Sequence, residues 1–338
     1  MNIHKALAAL PKVELHIHLL GTIRPSTLLG FIDEAEIDTP YNSEADLALL
    51  FQYQDFGHFI SVYGEVVSYI TKEKQFERLA CEMLEDLAEH NVRYTEISFS
   101  APDHMRRGLE FNEMLDAVCR GIRRANRNTG IEADVRIDLV RNYGPESASE
   151  VLDCIRDRLD SIVSIDIGGS EHEFPAKPFA PVYEEARRMG LHLVAHAGEA
   201  EGSESIWDAI RFLGVERIGH GTSAITDTKL MNHIKENRIV IESCPVSNVR
   251  TGVVTSIEEH PIREFYERGL LVTVSSDDPA FFDTDISVEY IQLHDHLGFS
   301  LSDLCSITQN GIRSAFISDS RKDALLDELE EAYNRIVL

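Results

Sequence analysis

His16 and His18 lie two residues apart in a stretch, residues 13–21, whose apolar residues alternate with polar ones. A period of two is typical of a β-strand, on which residues two apart point to the same face. Two imidazoles side by side on one face can bind one metal ion. The same pair can also face solvent, so taken alone it leaves both interpretations open.

Further imidazoles and carboxylates follow three later apolar stretches. His196 and Glu199 close one of them, His220 stands between two glycines after a second, and Asp277-Asp278 precede a proline after a third. Singly, each has an ordinary structural explanation: a core histidine, a helix cap or a turn. Together they indicate a mononuclear site for a metal that accepts nitrogen and oxygen ligands.

We expect this metal to be one Zn²⁺ ion, held by His16, His18, His196 and Asp277. Zinc in such a site lowers the pKa of a bound water toward about 7, so that hydroxide is available at neutral pH. Iron or cobalt could occupy the same ligands, because ligand type alone does not separate these metals.

The other polar residues at these positions suit the chemistry around such a water. His220 can orient the water or stabilise developing charge, and Glu199, three residues after a ligand, can carry a proton to the substrate. Asp278 can hydrogen-bond a polar edge of the substrate. Gly169 leaves the backbone open, so that a flat substrate can approach an N–H group.

These residues need a scaffold that brings several strand ends together, and the chain alternates between strand-like and helix-like stretches. The predicted strands are 13–19, 92–100, 133–140, 161–167, 191–196, 217–220, 238–242 and 270–275. Eight βα units predict an α/β fold, a single (β/α)8 TIM barrel over residues 1–338 with extra C-terminal helices. An open doubly wound sheet is the alternative.

Residues 41–90 form a predicted helical insertion between the first two strands. Its aromatic side chains are Phe51, Tyr53, Phe56, Phe59 and Tyr63, among others. Such residues most often pack in a core, but a lid over a pocket would need them as well. The insertion is therefore a candidate lid.

Charge and composition exclude several classes of function. The chain has 58 Asp and Glu against 32 Lys and Arg, a net charge of −26 that would repel a nucleic-acid backbone. No apolar run approaches the roughly 20 residues of a membrane span, and no signal peptide is visible. The five cysteines include no C-x-x-C pair, which favours reduced thiols. We expect a cytoplasmic enzyme that acts on a small molecule, with homo-oligomerisation left open.

In order and spacing, six segments resemble the adenosine deaminase family of the amidohydrolase superfamily, over nearly the whole chain. They are Leu-Pro-Lys-Val-Glu-Leu-His-Ile-His-Leu (10–19), Asp-Ile-Gly-Gly-Ser-Glu (166–171), His-Ala-Gly-Glu (196–199), Arg-Ile-Gly-His-Gly (217–221), Cys-Pro-Val-Ser-Asn (244–248) and Ser-Asp-Asp-Pro (276–279). Such a series is far more specific than any one motif. The H-x-E and P-C-x-x-C elements of the cytidine-deaminase zinc site are absent.

The resemblance implies hydrolytic deamination of a 6-aminopurine nucleoside, with release of ammonia. The positions that match the family's zinc ligands are His16, His18, His196 and Asp277. By the same resemblance, Glu199 protonates purine N1 and His220 orients the attacking hydroxide. Asp278 contacts N7, and the backbone of Gly169 contacts N3. Glu242, like the segment 244–248, matches the family's scaffold and is given no catalytic role.

Leu20 is a departure from this pattern. Family members that act on adenosine usually carry Asp there, which meets the ribose 5′-hydroxyl, and adenine-specific members usually carry Glu. Leucine cannot accept that hydrogen bond, a loss of about 1–3 kcal/mol. Leu20 therefore predicts contact with a 5′-modified adenosine, such as a thioether or a futalosine-type precursor. Arg24 is either a partner for an anionic group or a surface residue, and Ser98 stands where Arg is usual.

Other functions stay open beside a zinc-dependent nucleoside deaminase. They are an adenine deaminase, another mononuclear metallo-hydrolase of the amidohydrolase superfamily, and a binding protein that kept the barrel. The chain has no lysine at a strand end suited to bridging two metals, and neither a metal ligand nor Glu199 is lost. Both observations favour the deaminase.

Overall fold

The computed structural model describes residues 2–53 and 56–338, without the side chain of Phe56. Within this part, eight parallel strands form one sheet in sequence order. They are β1 (Lys12–His18), β2 (Val92–Phe99), β3 (Glu132–Asp138), β4 (Ile162–Asp166), β5 (His192–Ala197), β6 (Arg217–His220), β7 (Val240–Ser243) and β8 (Leu271–Val274). A parallel bridge between Ile17 and Asp277 joins β1 to the segment after β8 and closes the barrel. The predicted TIM barrel is confirmed, and the open sheet is excluded.

Helices connect the strands and cover the outside of the barrel. They are α1 (Ile3–Ala9), α2 (Pro25–Glu34), α3 (Glu44–Leu50), α4 (Phe56–Tyr69), α5 (Gln75–Glu89), α6 (Ala101–Met105), α7 (Phe111–Thr129), α8 (Gly144–Ile155), α9 (Ala180–Arg188), α10 (Ser203–Asp208), α11 (Thr228–Glu236), α12 (Pro245–Arg250), α13 (Ile262–Arg268), α14 (Pro279–Phe282), α15 (Ile286–Leu297), α16 (Leu301–Ser314) and α17 (Asp319–Val337). A π-helical segment, Ala209–Leu213, continues α10. Among the described residues, no helix is long and apolar enough to cross a membrane.

Local sequence explains where several helices begin and end. Ser300 and Asp303 form a reciprocal capping box at the start of α16, and the Asp227 side chain accepts two backbone N–H groups at the start of α11. Gly130 ends α7 in the left-handed conformation, with φ of 80°. These ends keep the connections between helices and strands short and defined.

An ionic network crosses the interior of the barrel, where apolar layers are usual. Arg136 on β3 lies with Nη2 2.8 Å from Glu242 Oε1 and with Nη1 3.3 Å from Asp166 Oδ2. Arg217 on β6 places Nε 2.8 Å from the same Glu242 oxygen and also pairs with Glu96 on β2. All five side chains are buried. Because buried charges need partners, the network holds five strands together beneath the carboxyl ends.

The segment between β1 and β2 divides into two parts. On α4, the Phe59 and Tyr63 rings lie 5.8 and 5.7 Å from the ring of Phe281, which follows β8. Helix α5 instead packs along α7 on the outside of the barrel. There a Cβ at Gly121 would lie 2.5 Å from Glu77 O, so only glycine permits this approach.

Candidate active site and metal centre

The four predicted metal ligands converge at the carboxyl ends of the strands. His16 and His18 lie on β1, His196 lies on β5, and Asp277 follows β8. One ligand atom of each lies within 4.8 Å of the others, and all four side chains are buried. His16 Nε2 and His18 Nε2 both lie 3.3 Å from Asp277 Oδ1. This spacing suits one ion bound by all four residues.

Carboxylates behind two of the histidines orient their rings. His16 Nδ1 lies 2.9 Å from Glu242 Oε2, and His196 Nδ1 lies 3.1 Å from Asp166 Oδ2. The Nε2 side of each ring is therefore left for the centre, and the buried His16 Nε2, although 3.3 Å from Asp277 Oδ1, forms no well-directed hydrogen bond. Leaving such an atom unpaired costs about 1–3 kcal/mol. A cation at this point would remove that cost, so the donor set fits zinc.

The backbone of Asp277 has an uncommon conformation. Its φ of 66° places a non-glycine residue in the left-handed region. Three hydrogen bonds hold it there: Asp277 N to His16 O at 3.2 Å, His18 N to Asp277 O at 2.9 Å, and Ser247 Oγ to Asp277 Oδ2 at 2.7 Å. With Oδ2 engaged by Ser247, Oδ1 is left facing the two histidines of β1.

Two glycines make room for side chains of the site. A Cβ at Gly219 would lie 2.8 Å from His16 Cε1, and a Cβ at Gly21 would lie 2.1 Å from Asp278 Oδ1. A larger residue at either position would displace its neighbour, since real contacts at these distances do not occur. The placement of His16 and Asp278 thus requires that Gly219 and Gly21 have no side chain.

Glu199 and His220 face each other beside the metal ligands. His220 Nε2 lies 3.5 Å from Glu199 Oε2 and 3.9 Å from Asp277 Oδ2. Burial, reinforced by the charge of Asp277, raises the pKa of Glu199 to about 8. This carboxyl group therefore holds a proton at neutral pH and can donate it to a base. Burial lowers the pKa of His220 to about 4, so its ring is neutral.

Glu171 holds the loop that carries Glu199. Its carboxylate accepts the backbone N–H groups of Gly198, Glu199 and Ala200 at 2.7, 2.9 and 2.7 Å. Three such bonds to one charged group define the loop closely. Glu171 is the last residue of the segment 166–171, but nothing in the sequence indicated this role.

The predicted substrate contacts Gly169 and Asp278 lie in suitable surroundings. Gly169 has a φ of 102°, and a Cβ there would lie 2.1 Å from Asn142 Oδ1, so the position requires glycine. Asp278 Oδ1 is buried without a hydrogen-bond partner. Both residues are therefore able to offer a polar group to a ligand.

A cavity of about 480 Å³ lies over this group of residues. The predicted site residues that line it are His18, Gly169, His196, Glu199, His220, Asp277 and Asp278. His16 is buried behind the wall. Leu20 does not line the cavity: it is 4% exposed and belongs to the hydrophobic core. Arg24 is also absent from the wall, and its Nη2 lies 2.5 Å from Asp86 Oδ1.

The outer part of the cavity wall combines apolar and basic side chains. Helix α4 contributes Phe59, Ile60 and Val67, and the turn after α6 contributes Arg106 and Arg107. Both arginines are exposed, and neither forms an ion pair with a described residue. The cavity thus runs from a buried polar floor to a partly apolar, basic mouth.

Several residues that shape the centre were not predicted from the sequence. Glu242 contacts a ligand, although it was taken as scaffold, and so does Ser247 of the scaffold segment. Asp166 also supports a ligand. The available signal was a charged residue inside a short apolar strand: Glu242 lies in the otherwise small or apolar β7, and Asp166 ends β4. A buried charge in such a strand needs a partner.

The whole chain resembles known purine deaminases. The family model described as "Adenosine deaminase" matches residues 11–332. An aminodeoxyfutalosine deaminase of Streptomyces coelicolor is 36% identical over 333 residues, 97% of this chain and 86% of that protein. A crystal structure of adenine deaminase from Arthrobacter aurescens superposes with a TM-score of 0.92 at 31% identity, covering 95% of this chain and 98% of the other.

A zinc-containing structure superposes with the same TM-score. An amidohydrolase from Burkholderia ambifaria with bound Zn has a TM-score of 0.92 and 27% identity, and the match covers 99% of this chain and 93% of the other. The extent of the family match and the agreement of fold with relatives over nearly their full length lead to one conclusion. The chain belongs to the adenosine deaminase family, whose members are hydrolytic deaminases of purines.

Proposed function

We propose that this protein removes the 6-amino group of a purine nucleoside by hydrolysis, which yields the inosine-type product and ammonia. The observation that carries the proposal is the cavity that joins a buried group of four metal ligands to Glu199, His220 and Asp278. Water adds at C6, the amino group takes up a proton, and the C–N bond to it breaks.

The residues that would hold one Zn²⁺ ion are His16, His18, His196 and Asp277. When bound, zinc supplies acidity to a water molecule, which can then act as a nucleophile near neutral pH. The unpaired Nε2 of His16 and the carboxylates on the far side of the His16 and His196 rings support this assignment.

The chain's own residues bind and polarise the purine. Glu199, which holds a proton at neutral pH, donates it to N1 and so makes C6 more electrophilic. His220 orients the attacking water. Burial raises the pKa of Asp278 to about 8, so its carboxyl group holds a proton at neutral pH and donates a hydrogen bond to N7. The backbone N–H of Gly169 donates to N3.

We further propose that the substrate carries an apolar 5′ extension that ends in an anionic group. Phe59, Ile60 and Val67 offer the apolar surface, and Arg106 with Arg107 offers the counter-charge. In a chain of net charge −26, two neighbouring arginines at a pocket mouth attract anions that the rest of the surface repels. The relatedness to an aminodeoxyfutalosine deaminase, an enzyme for a modified adenosine, supports this choice.

Adenine is the second candidate, because the similar Arthrobacter structure is an adenine deaminase. An ammonia-release assay of the zinc-loaded protein separates the candidates. The panel is adenosine, 2′-deoxyadenosine, adenine, AMP, 5′-methylthioadenosine, S-adenosylhomocysteine and aminodeoxyfutalosine. We expect kcat/KM for the anionic 5′-extended nucleoside to exceed that for adenosine by about tenfold or more, a difference of about 1.4 kcal/mol. Adenine or plain adenosine as the best substrate would contradict the proposed extension.

Three further properties belong to this proposal. Helix α4 acts as a lid over the substrate, because Phe59 and Tyr63 line the cavity from outside the barrel. The protein works in the cytoplasm as part of purine metabolism, and its five unpaired cysteines agree with a reducing compartment. Self-association stays a prediction for which light scattering is the direct test.

A further inference from the structure

A chain of buried hydrogen bonds runs away from the metal centre behind His220. His220 Nδ1 lies 3.1 Å from Asn248 Nδ2 on α12, and Asn248 Oδ1 lies 3.2 Å from His260 Nε2. His260 Nδ1 in turn lies 3.2 Å from the backbone N of Ile262, at the start of α13. All three side chains are at most 3% exposed. The proposed function uses only the first of them.

The backbone N–H group of Ile262, at one end of this series of hydrogen bonds, determines the direction of every hydrogen bond in the series. The Ile262 N–H group can only donate, so His260 Nδ1 must carry a lone pair and His260 Nε2 must carry the hydrogen. That hydrogen points to Asn248, which fixes the amide with its oxygen toward His260 and its NH₂ toward His220. An NH₂ group can only donate, so His220 Nδ1 carries a lone pair and its hydrogen lies on Nε2.

The opposite side of the His220 ring is compatible with this assignment. Nε2 faces two carboxyl oxygens, Glu199 Oε2 at 3.5 Å and Asp277 Oδ2 at 3.9 Å. A lone pair on Nε2 would be repelled by an ionised Asp277, whereas an N–H group is attracted to it.

We propose that Asn248 and His260 are positioning residues that hold His220 as the neutral Nε2–H tautomer, so that His220 donates a hydrogen bond to the attacking water and does not remove its proton. The inference about the water rests on the proposed function. The tautomer itself does not, because it follows from the protein's own hydrogen bonds.

Nitrogen NMR of the full-length, zinc-loaded protein with ¹⁵N-labelled histidine tests the tautomer without substrate. We expect long-range ¹H–¹⁵N correlations to show His220 Nδ1 unprotonated and Nε2 protonated, with the signals assigned by their loss in His220→Gln. A protonated Nδ1, or a metal-bound Nε2, in the wild-type protein would overturn the proposal. This readout stands even if no purine is deaminated, so failure of the proposed function and failure of this inference are distinguishable.

Asn248→Asp replaces the donor beside His220 with an acceptor of the same shape. We expect it to protonate Nδ1 and to lower kcat by about a hundredfold, the typical cost of one misdirected donor in an active site, with KM within about twofold. An unprotonated Nδ1 in this variant would contradict the proposed chain. A purely structural role for Asn248 would lower the melting temperature and leave the ring nitrogens unchanged.

His260→Gln and His260→Leu form a matched pair whose result does not depend on whether the Asn248→Asp variant folds. Glutamine can accept from Ile262 N–H with Oε1 and donate to Asn248 Oδ1 with Nε2, so we expect it to preserve the tautomer and to keep kcat within about threefold. Leucine can neither donate nor accept a hydrogen bond, so it interrupts the hydrogen bonds between Ile262 and Asn248. We expect kcat to fall about tenfold and both neutral tautomers of His220 to be populated. Equal kcat for the two variants would overturn the role of His260.

Discussion

The two ends of the barrel each carry a cavity of about the same size, yet their walls differ in chemistry. The cavity at the carboxyl ends of the strands measures about 480 Å³, and the one at the amino ends of β5–β8 measures about 500 Å³. Four basic side chains line the second wall: Arg217, Arg238, Arg313 and Lys322. Among the described residues, the metal-ligand groups lie at the carboxyl end.

Volume therefore does not distinguish the two ends, but the side chains at each cavity do. At the amino end, His192 Nδ1 lies 3.0 Å from Glu216 Oε2, and the His192 ring stacks on Phe316 at 3.9 Å. At the carboxyl end, His16 Nε2 and Asp278 Oδ1 are buried with no hydrogen-bond partner. Groups left in this state raise the energy of the empty site, and a ligand that pairs with them recovers that energy.

The largest expected effect is at the carboxyl end, in Glu199→Gln. Glutamine keeps the shape but has no acidic proton, so kcat should fall by about a thousandfold while zinc stays bound. Metal analysis and the ammonia assay measure both quantities. Glu201→Gln, two residues along the same loop and outside the cavity wall, is the control and should retain activity. Full activity of the Glu199 variant would refute the proposed role of Glu199 as proton donor.

A matched pair of histidine–carboxylate contacts sharpens the comparison further. Asp166→Asn weakens the contact behind His196 and should reduce zinc affinity by about 10- to 100-fold. Glu216→Gln weakens the corresponding contact behind His192 at the amino end and should leave zinc affinity unchanged. Competition with a zinc-binding dye gives both affinities. Equal effects in the two variants would mean that the carboxylate acts through overall stability.

The mouth of the carboxyl-end cavity should show a smaller effect. Removing both side chains in Arg106→Ala/Arg107→Ala should raise KM for an anionic 5′-extended nucleoside about fivefold, since exposed ion pairs contribute about 1 kcal/mol or less. KM for adenosine should stay within about twofold. Arg313→Ala at the amino end is the control. A loss shared by both substrates would exclude recognition of the anion.

A prediction of a different kind concerns stability, at the amino end. Burial lowers the pKa of Lys12 to about 7, against 10.5 in an unfolded chain. Between these values the unfolded state binds more protons, so the free energy of unfolding should rise with pH above about 7, and this contribution is lost as pH falls through 7. Lys12→Met should remove that rise, and Lys5→Met, at an exposed lysine of α1, should not. The midpoints of urea unfolding near pH 7, 8.5 and 10 measure how stability changes with pH in each variant. The same slope in Lys12→Met as in wild type would contradict the burial argument.

The sequence predicted the strands and the grouping of four candidate ligands better than the wall of the cavity. All eight strands were predicted within about two residues of their observed ends, because the alternation of apolar stretches reports local periodicity. Leu20 was predicted as a substrate contact from its place next to a motif, yet it packs into the core. Position along the chain does not reveal which way a side chain turns after its strand ends.

Local sequence determined that this chain forms βα units and that particular histidines and carboxylates stand at strand ends. Their chemistry, nitrogen and oxygen donors beside a general acid, follows from residue type alone. Only the tertiary structure decided which of them meet. Closure of β1 against the segment after β8 brings His18 to Asp277, 259 residues apart, and β7 places Glu242 behind His16. Such contacts are set by strand order and barrel closure, which couple residues far apart in the chain and leave no signal in local periodicity.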